Sequence, residues 1–377
     1  MEKRRREFHL FSTFQLRRFD FWLVALVLAL NGIGILAIGS ASPDLQMRQL
    51  QGSALGFALM LVISLFDYNM ILRFQWLFYA VNLALLSAVI VMGSTGGGAQ
   101  RWINIGGLTF QPSEAAKILL ILFYAQFIMK YREKMKSFSA LIACFLLLAP
   151  TLLLIYKQPD LSTTIMVFII FCVMIFVGGI NWRIVVGVFA VAVPSFAIFM
   201  SLVLQEGQTI LKDYMRNRIL AWLHPEDFAD TIAYQTMNSL MAIGSGRLLG
   251  KGYNTNEISS LLNSGYIAES QTDFIYTVVG EEFGFVGSVT VVLLVMLIAV
   301  HCMLIARSAR NTGGAIIAAG VGAWIGFQGF MNMGVVTGIL PNTGIPLPFM
   351  SYGLTSVWCL YAGVGFVLNV RMQRQLS

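Results

Sequence analysis

The chain has 377 residues, of which 57% are hydrophobic and only 11% charged, and its formal net charge is +7. Soluble domains carry about 25% charged residues, so a soluble globular protein is excluded. Cys144, Cys172, Cys302 and Cys359 all fall in apolar segments without disulfide or metal-ligand spacing, which excludes a disulfide-stapled module and leaves them as packing residues.

Apolar runs long enough to cross a bilayer recur along the sequence. They predict an all-α polytopic membrane protein with spans near 20–41, 51–66, 75–92, 113–130, 138–155, 161–178, 184–204, 273–304, 314–338 and 350–370. The whole chain, 1–377, reads as one integral membrane domain. It has a basic cytoplasmic tail at 1–18, a large extracytoplasmic loop at 205–272 between the seventh and eighth spans, and a short cytoplasmic tail at 371–377. The Arg-rich start runs into a full-length span without a small-residue cleavage site, so no cleavable signal peptide is expected. The eighth stretch is too long for one simple span. Its glycines at 280, 284 and 287 predict a short lead-in helix before the true span. Most basic residues collect on one side if the N-terminus is cytoplasmic, and an even number of spans returns the C-terminus there. Most carboxylates then face outward. The positive charge is a topology signal, and nucleic acid is not implied.

The unusual residues gather on the outer side. The first outer loop carries Asp44 and Arg48. The second, Gly93 to Pro112, contains a glycine run followed by Arg101-Trp102 and reads on its own as a tight re-entrant turn. In Gln111-Pro112-Ser113-Glu114-Ala115-Ala116-Lys117, proline suits the first position of a helix. The helix dipole there favours Glu114, and Lys117 follows on the same face. This pair either fixes helix packing or presents a cation to an anionic headgroup. Lys157-Gln158-Pro159-Asp160 repeats the theme of cation, proline and carboxylate at a helix entrance. The long loop holds Arg216, Arg218 and a glycine-rich run ending at Lys251 and Gly252. That run fails as a phosphate loop: its spacing is off by one, Gly252 replaces the Ser or Thr, and a nucleotide would be on the wrong side of the membrane. Finally, Gln271-Thr272-Asp273 and then Glu281-Glu282 stand where polar sequence gives way to apolar, and charges in such places are functional hypotheses by default. Leu340 to Phe349 forms a proline-rich apolar lid. This rim suits a substrate with a lipid tail, a phosphate linkage and a polar head.

Five motifs in order are specific enough to indicate a family: Gly98-Ala99-Gln100-Arg101-Trp102, Gln111-Pro112-Ser113-Glu114, Gln158-Pro159-Asp160-Leu161, Thr272-Asp273-Phe274 with Glu281-Glu282-Phe283-Gly284, and Pro346-Leu347-Pro348-Phe349-Met350-Ser351-Tyr352-Gly353. Together, from about residue 19 to 372, they resemble the SEDS family (shape, elongation, division and sporulation). Phe66-Asp67-Tyr68 and the short tails look most like its RodA branch, while FtsW-type and sporulation members share the same motifs. The sequence departs from the family's pattern at Ser162, Asn342, Leu354, Ile267-Ala268 and Arg247. Arg247 adds charge to a loop expected to be mobile.

The resemblance implies peptidoglycan glycosyltransfer on the outer leaflet with lipid II as donor and acceptor, in cell elongation and shape control. The 4-hydroxyl of one unit attacks the anomeric carbon of another with inversion, and undecaprenyl pyrophosphate departs. A pyrophosphate whose charge is neutralised leaves without a proton, so one base suffices, where a glycosidase needs two carboxylates. Asp273 matches the family's base. Arg101 and Lys117 are the first candidates for the phosphate side, with Arg48, Arg216, Arg218 and Lys251 behind them. Glu114 would hold Lys117. Asp160 would orient the site or, like Asp273, ligate a divalent cation (Mg or Mn), and no organic cofactor is implied. Glu281 and Glu282 read as structural. The implied partners are membrane lipids, the elongation or division machinery and a class B penicillin-binding protein for crosslinking, since the chain has no transpeptidase motif of its own. A lipid II flippase is the rival activity. It would carry charges through the bilayer midplane or show inverted repeats, and the sequence offers few of the former and no convincing repeat. A pure scaffold for division or elongation proteins would not need Asp273.

Overall fold

A computed structural model describes residues 18–96, 99–105, 108–187, 213–255 and 269–373, with isolated positions at 190, 194, 201, 260 and 267. The helices are α1 (Phe21–Ala41), α2 (Pro43–Leu65), α3 (Tyr68–Leu72), α4 (Gln75–Met92), α5 (Pro112–Lys130), α6 (Phe138–Lys157), α7 (Leu161–Val177), α8 (Asp213–Leu223), α9 (Tyr234–Ser245), α10 (Ile275–Arg307), α11 (Thr312–Val336) and α12 (Leu354–Met372). Among the described residues, eight of these are long and apolar enough to cross a membrane, and α7 is a shorter apolar helix. The protein is a multi-pass helical membrane protein. Of the seventh predicted span, 184–204, most lies outside the described residues.

Polar residues at helix starts set the boundaries. Asp20, Asp67, Ser137, Asp160 and Asn311 each accept a backbone N–H of the helix that follows, which satisfies a donor no intrahelical bond can reach. Pro43 opens α2 and Pro112 opens α5. The first outer loop is accordingly only Ser42, and Asp44 and Arg48 sit on the opening turns of α2, not in a loop. The segment 93–112, read from sequence as a re-entrant turn, instead contains a small antiparallel sheet of β1 (Ser94–Gly96), β2 (Ala99–Ile105) and β3 (Leu108–Phe110) in that spatial order.

The core runs along α11. Ile316, Ile317, Val321, Trp324 and Ile325 are fully buried there, against α5, α7, α10 and α12. Apolar side chains on α1, α4 and α6, such as Trp22, Leu77 and Leu146, face outward as lipid-facing surfaces do. α10 breaks where the glycine spacing predicted. Gly284 leaves the helix with φ 63° and ψ −156°, which separates a lead-in turn from the long apolar span. The break frees two carbonyls and two N–H groups, and the 247–252 segment takes all four. Lys251 N and Gly252 N donate to Glu281 O and Glu282 O at 2.9 and 3.0 Å, while Phe285 N and Val286 N donate to Arg247 O and Leu248 O at 2.9 and 3.2 Å. This stretch, expected from sequence to be mobile, is stitched to the broken helix.

Candidate active site

One cavity of about 500 Å³ opens at the end of the bundle where α5, α7 and α12 begin and α11 ends. Its walls include Arg101 and Trp102 from β2, Glu114 and Lys117 from α5, and Asp160 and Thr163 at the start of α7. Arg218 of α8 and Gln235 of α9 close it from the long loop, and Asn342 to Pro346 form a strap across it. Glu269, Thr272 and Asp273 complete the wall just before α10.

Asp273 occupies the turn ahead of α10, so its backbone has no helix to satisfy it. Three consecutive carbonyls there are claimed from elsewhere: Gln271 O by Tyr352 N (2.9 Å), Thr272 O by Ser351 Oγ (2.6 Å) and Asp273 O by Asn332 Nδ2 (2.7 Å). The main chain is fixed while the carboxyl group borders the cavity. Burial pushes its pKa up to about 6; Glu269 and Asp160 push in the same direction, and Arg101 and Arg218 pull against them.

Lys117 is not a free cation. Its ammonium donates to Glu114 Oε1 at 2.5 Å and to Gln328 Oε1 at 2.8 Å, and lies 4.8 Å from the centroid of the Trp324 ring. The other oxygen of Glu114 is buried without a partner. Asp160 caps α7 through Thr163 N and Thr163 Oγ1 at 3.1 and 2.9 Å. Arg101 reaches the same corner, donating to the carbonyls of Gln158 and Pro159 and standing 4.0 Å from the Asp160 carboxylate.

Of the residues singled out from sequence, Asp273, Arg101, Lys117, Glu114, Asp160 and Arg218 therefore share one cavity wall. Arg48 is exposed on α2 and Arg216 lies on α8, and neither lines the cavity. Lys251 is corrected too: it pairs with Glu281 at 2.7 Å beside the helix break, outside the cavity. Glu282 bonds Ser40 of α1 and Asn254 N, so both glutamates serve the break. Among the described residues no group of three or more His, Cys, Asp or Glu converges. Asp160 and Asp273, both in the cavity wall, are the residues that would hold a divalent cation beside a phosphate ligand. Sequence reasoning missed Trp324, Gln328 and Asn332, although polar amides in an otherwise apolar span were a legible signal.

A bundle of apolar helices long enough to span a membrane, with a charged cavity at one end, defines a multi-pass membrane protein with one candidate site. The family model described as cell cycle protein, FTSW_RODA_SPOVE, matches residues 19–376, and the chain belongs to this family, the SEDS family. It is a glycosyltransferase. The chain is 33% identical to the probable peptidoglycan glycosyltransferase FtsW of Geobacter metallireducens over 94% of its own length and 95% of that protein. It is 35% identical to the peptidoglycan glycosyltransferase MrdB of Escherichia coli, with 94% of both covered. Among solved structures, it resembles a chain from a study titled as the coordination of polymerization and crosslinking by a peptidoglycan synthase complex, with a TM-score of 0.77, 30% identity, and 94% and 97% of the two chains covered. It also resembles the rod shape determining protein RodA of Thermus thermophilus, with a TM-score of 0.68, 28% identity, and 95% and 98% covered.

Proposed function

We propose that this protein polymerises lipid II into glycan strands at the outer leaflet, in elongation and shape control, alongside a penicillin-binding protein that crosslinks the product. The observation that carries the chemistry is a raised-pKa carboxyl group, Asp273, in the wall of a cation-lined cavity. As the acceptor's 4-hydroxyl oxygen bonds to the donor's anomeric carbon, Asp273 takes the hydroxyl proton and the bond from that carbon to the pyrophosphate oxygen breaks with inversion. The leaving undecaprenyl pyrophosphate carries the electron pair away, and its charge falls to Arg101 and Arg218, with the Lys117 ammonium deeper in the wall. A cavity of about 500 Å³ is too small for the polyprenyl tail, which stays in the lipid.

The orientation follows from charge. Arg73, Lys130, Arg132, Lys134, Arg307, Arg310 and Arg371 all lie at the bundle end opposite the cavity, which supports a cytoplasmic reading of that end and of both termini. The RodA- and MrdB-named relatives support elongation, and the FtsW-named ones make division the second reading. The partner is supported by the synthase-complex neighbour.

The test is polymerisation in proteoliposomes with lipid II confined to the leaflet that the cavity faces, with and without a class B partner. Glycan strands are expected without an ion gradient and are lost in Asp273→Asn. Inert substrate, together with Asp273-dependent crossing of labelled lipid II, would give the assignment to a flippase.

A further inference from the structure

α11 carries two amides one helical turn apart, Gln328 and Asn332, both almost completely buried. Their N–H groups do not serve their own helix. Asn332 Nδ2 donates to two carbonyls, Asp273 O and Ile345 O, at 2.7 Å each. Gln328 Nε2 donates to the next carbonyl of the strap, Pro346 O, at 2.9 Å. Its Oε1 accepts from Lys117 Nζ at 2.8 Å and from Trp324 Nε1 at 2.7 Å. The strap passes beside the carboxylate: Gly344 has φ 66°, and a Cβ added there would lie 3.2 Å from Asp273 Oδ2.

Two neighbouring carbonyls of one strap are thus gripped by two side chains of one helix. One of those side chains also holds the segment bearing Asp273, and the other holds the ammonium across the cavity wall. Burying amides in a membrane protein is costly unless every donor is used, and apolar side chains of the same size would pack α11 as well. Site geometry must be held within about 0.5 Å. These bonds set that geometry directly. We propose that Asn332 and Gln328 are a positioning pair: Asn332 fixes Asp273, Gln328 fixes Lys117, and the shared strap at Ile345 and Pro346 keeps the two in register. The inference rests on the reading of Asp273 as the base.

The test uses the full chain, reconstituted and supplied with lipid II, with rates expressed per folded molecule. Misplacing a reacting group by about 1 Å costs on the order of 10²-fold, so Asn332→Ala is expected to lose kcat on that scale. KM should stay within about twofold, the pattern of an interaction that matters only in the transition state. The acid limb of its pH–rate profile should also move, because a loosened carboxylate leaves the placement among Glu269, Arg101, Asp160 and Arg218 that holds its pKa at about 6. A purely structural Asn332 would lower yield or melting temperature and leave kcat and the acid limb of the folded fraction unchanged, which would overturn the proposal. If the alanine variant does not insert, Asn332→Ser keeps one donor and is read the same way. Gln328→Glu is the independent arm. It retains an acceptor for Lys117 and Trp324 but loses the donor to Pro346, and full kcat there would refute coupling through the strap. Asp273→Asn runs in parallel. If it still polymerises, the base reading fails. If it is dead while the Asn332 and Gln328 variants run at full rate, only the positioning pair fails.

Discussion

The two ends of the bundle differ in how their polar clusters are satisfied. At the end away from the cavity, Asp67, Asn69, Asn311, Asn369 and Gln373 form a closed knot. Asn369 Nδ2 donates to the carbonyls of Ser64 and Phe66 at 2.7 and 2.6 Å, and its Oδ1 accepts from Tyr68 N and Gln373 Nε2 at 3.1 and 2.9 Å. Asn69 bonds Asp67, Gln373 and Asn311 in the same way. At the cavity end, Glu114 Oε2, Asn332 Oδ1 and Thr343 Oγ1 are buried without partners among the described residues; at the far end, Gln75 Oε1, outside the knot, is left in the same way. A closed network rigidifies, and an open one carries the cost of unmet groups. The knot is scaffold; at the cavity end, the unmet atoms of Glu114 and Thr343 belong to residues of the cavity wall.

The largest effect that would sharpen this contrast is loss of the base. Asp273→Asn keeps the backbone bonds of Gln271, Thr272 and Asp273, because all three use main-chain carbonyls. The folded variant is therefore expected to insert normally and to lose about 10²–10⁴ in rate. Strand synthesis near the normal rate would end the assignment of Asp273 as base.

The Glu114–Lys117 pair comes next. Both side chains are almost completely buried, so Lys117→Met leaves an uncompensated carboxylate and is expected to cost about 3–5 kcal/mol of stability, measured as a fall in melting temperature. Exchanging the two charges restores the pair and recovers folding. It moves the ammonium off Gln328 and Trp324, so polymerisation should stay low. Full activity in the exchanged protein would show that the pair serves packing alone.

Acid comes third. The base works as the carboxylate, and its pKa is raised to about 6 by burial, so the rate should climb through that pH and level off above it. One unit below the midpoint only about a tenth of the carboxylate remains, so the rate should be about tenfold below its plateau. An acid limb near the ordinary Asp range, with the wild-type chain folded throughout, would contradict the environment described for Asp273.

The comparison also shows what the sequence could and could not reveal. Eight of the ten spans, the break at Gly284 and the wall residues Arg101, Glu114, Lys117, Asp160 and Asp273 were legible, because long apolar runs and the lone charges near their ends stand out. Lys251 and Arg48 were misplaced because charge alone does not say which neighbour it meets. Lys251 meets Glu281 only because the chain doubles back along a broken helix. The sheet at 94–110 was hidden by glycine, which signals a turn without saying what surrounds it. Gln328 and Asn332 stand out as amides in an apolar span, but their roles depend on the strap lying against them, which the sequence does not show.

The smallest expected effect on catalysis belongs to the knot. Asn369→Leu keeps the branched shape and the number of side-chain heavy atoms but satisfies neither the carbonyls of Ser64 and Phe66 nor the N–H of Tyr68. Each orphaned buried group costs about 1–3 kcal/mol, so a clear drop in melting temperature is expected. These bonds join the turn between α2 and α3 to the end of α12, at the face opposite the cavity, and none of them touches its walls. The folded fraction should therefore polymerise at the wild-type rate per molecule, with the acid limb unmoved. A variant that is stable but slow, or slow with a displaced acid limb, would mean that the two ends are coupled through α12, and the division into scaffold and site would have to be redrawn.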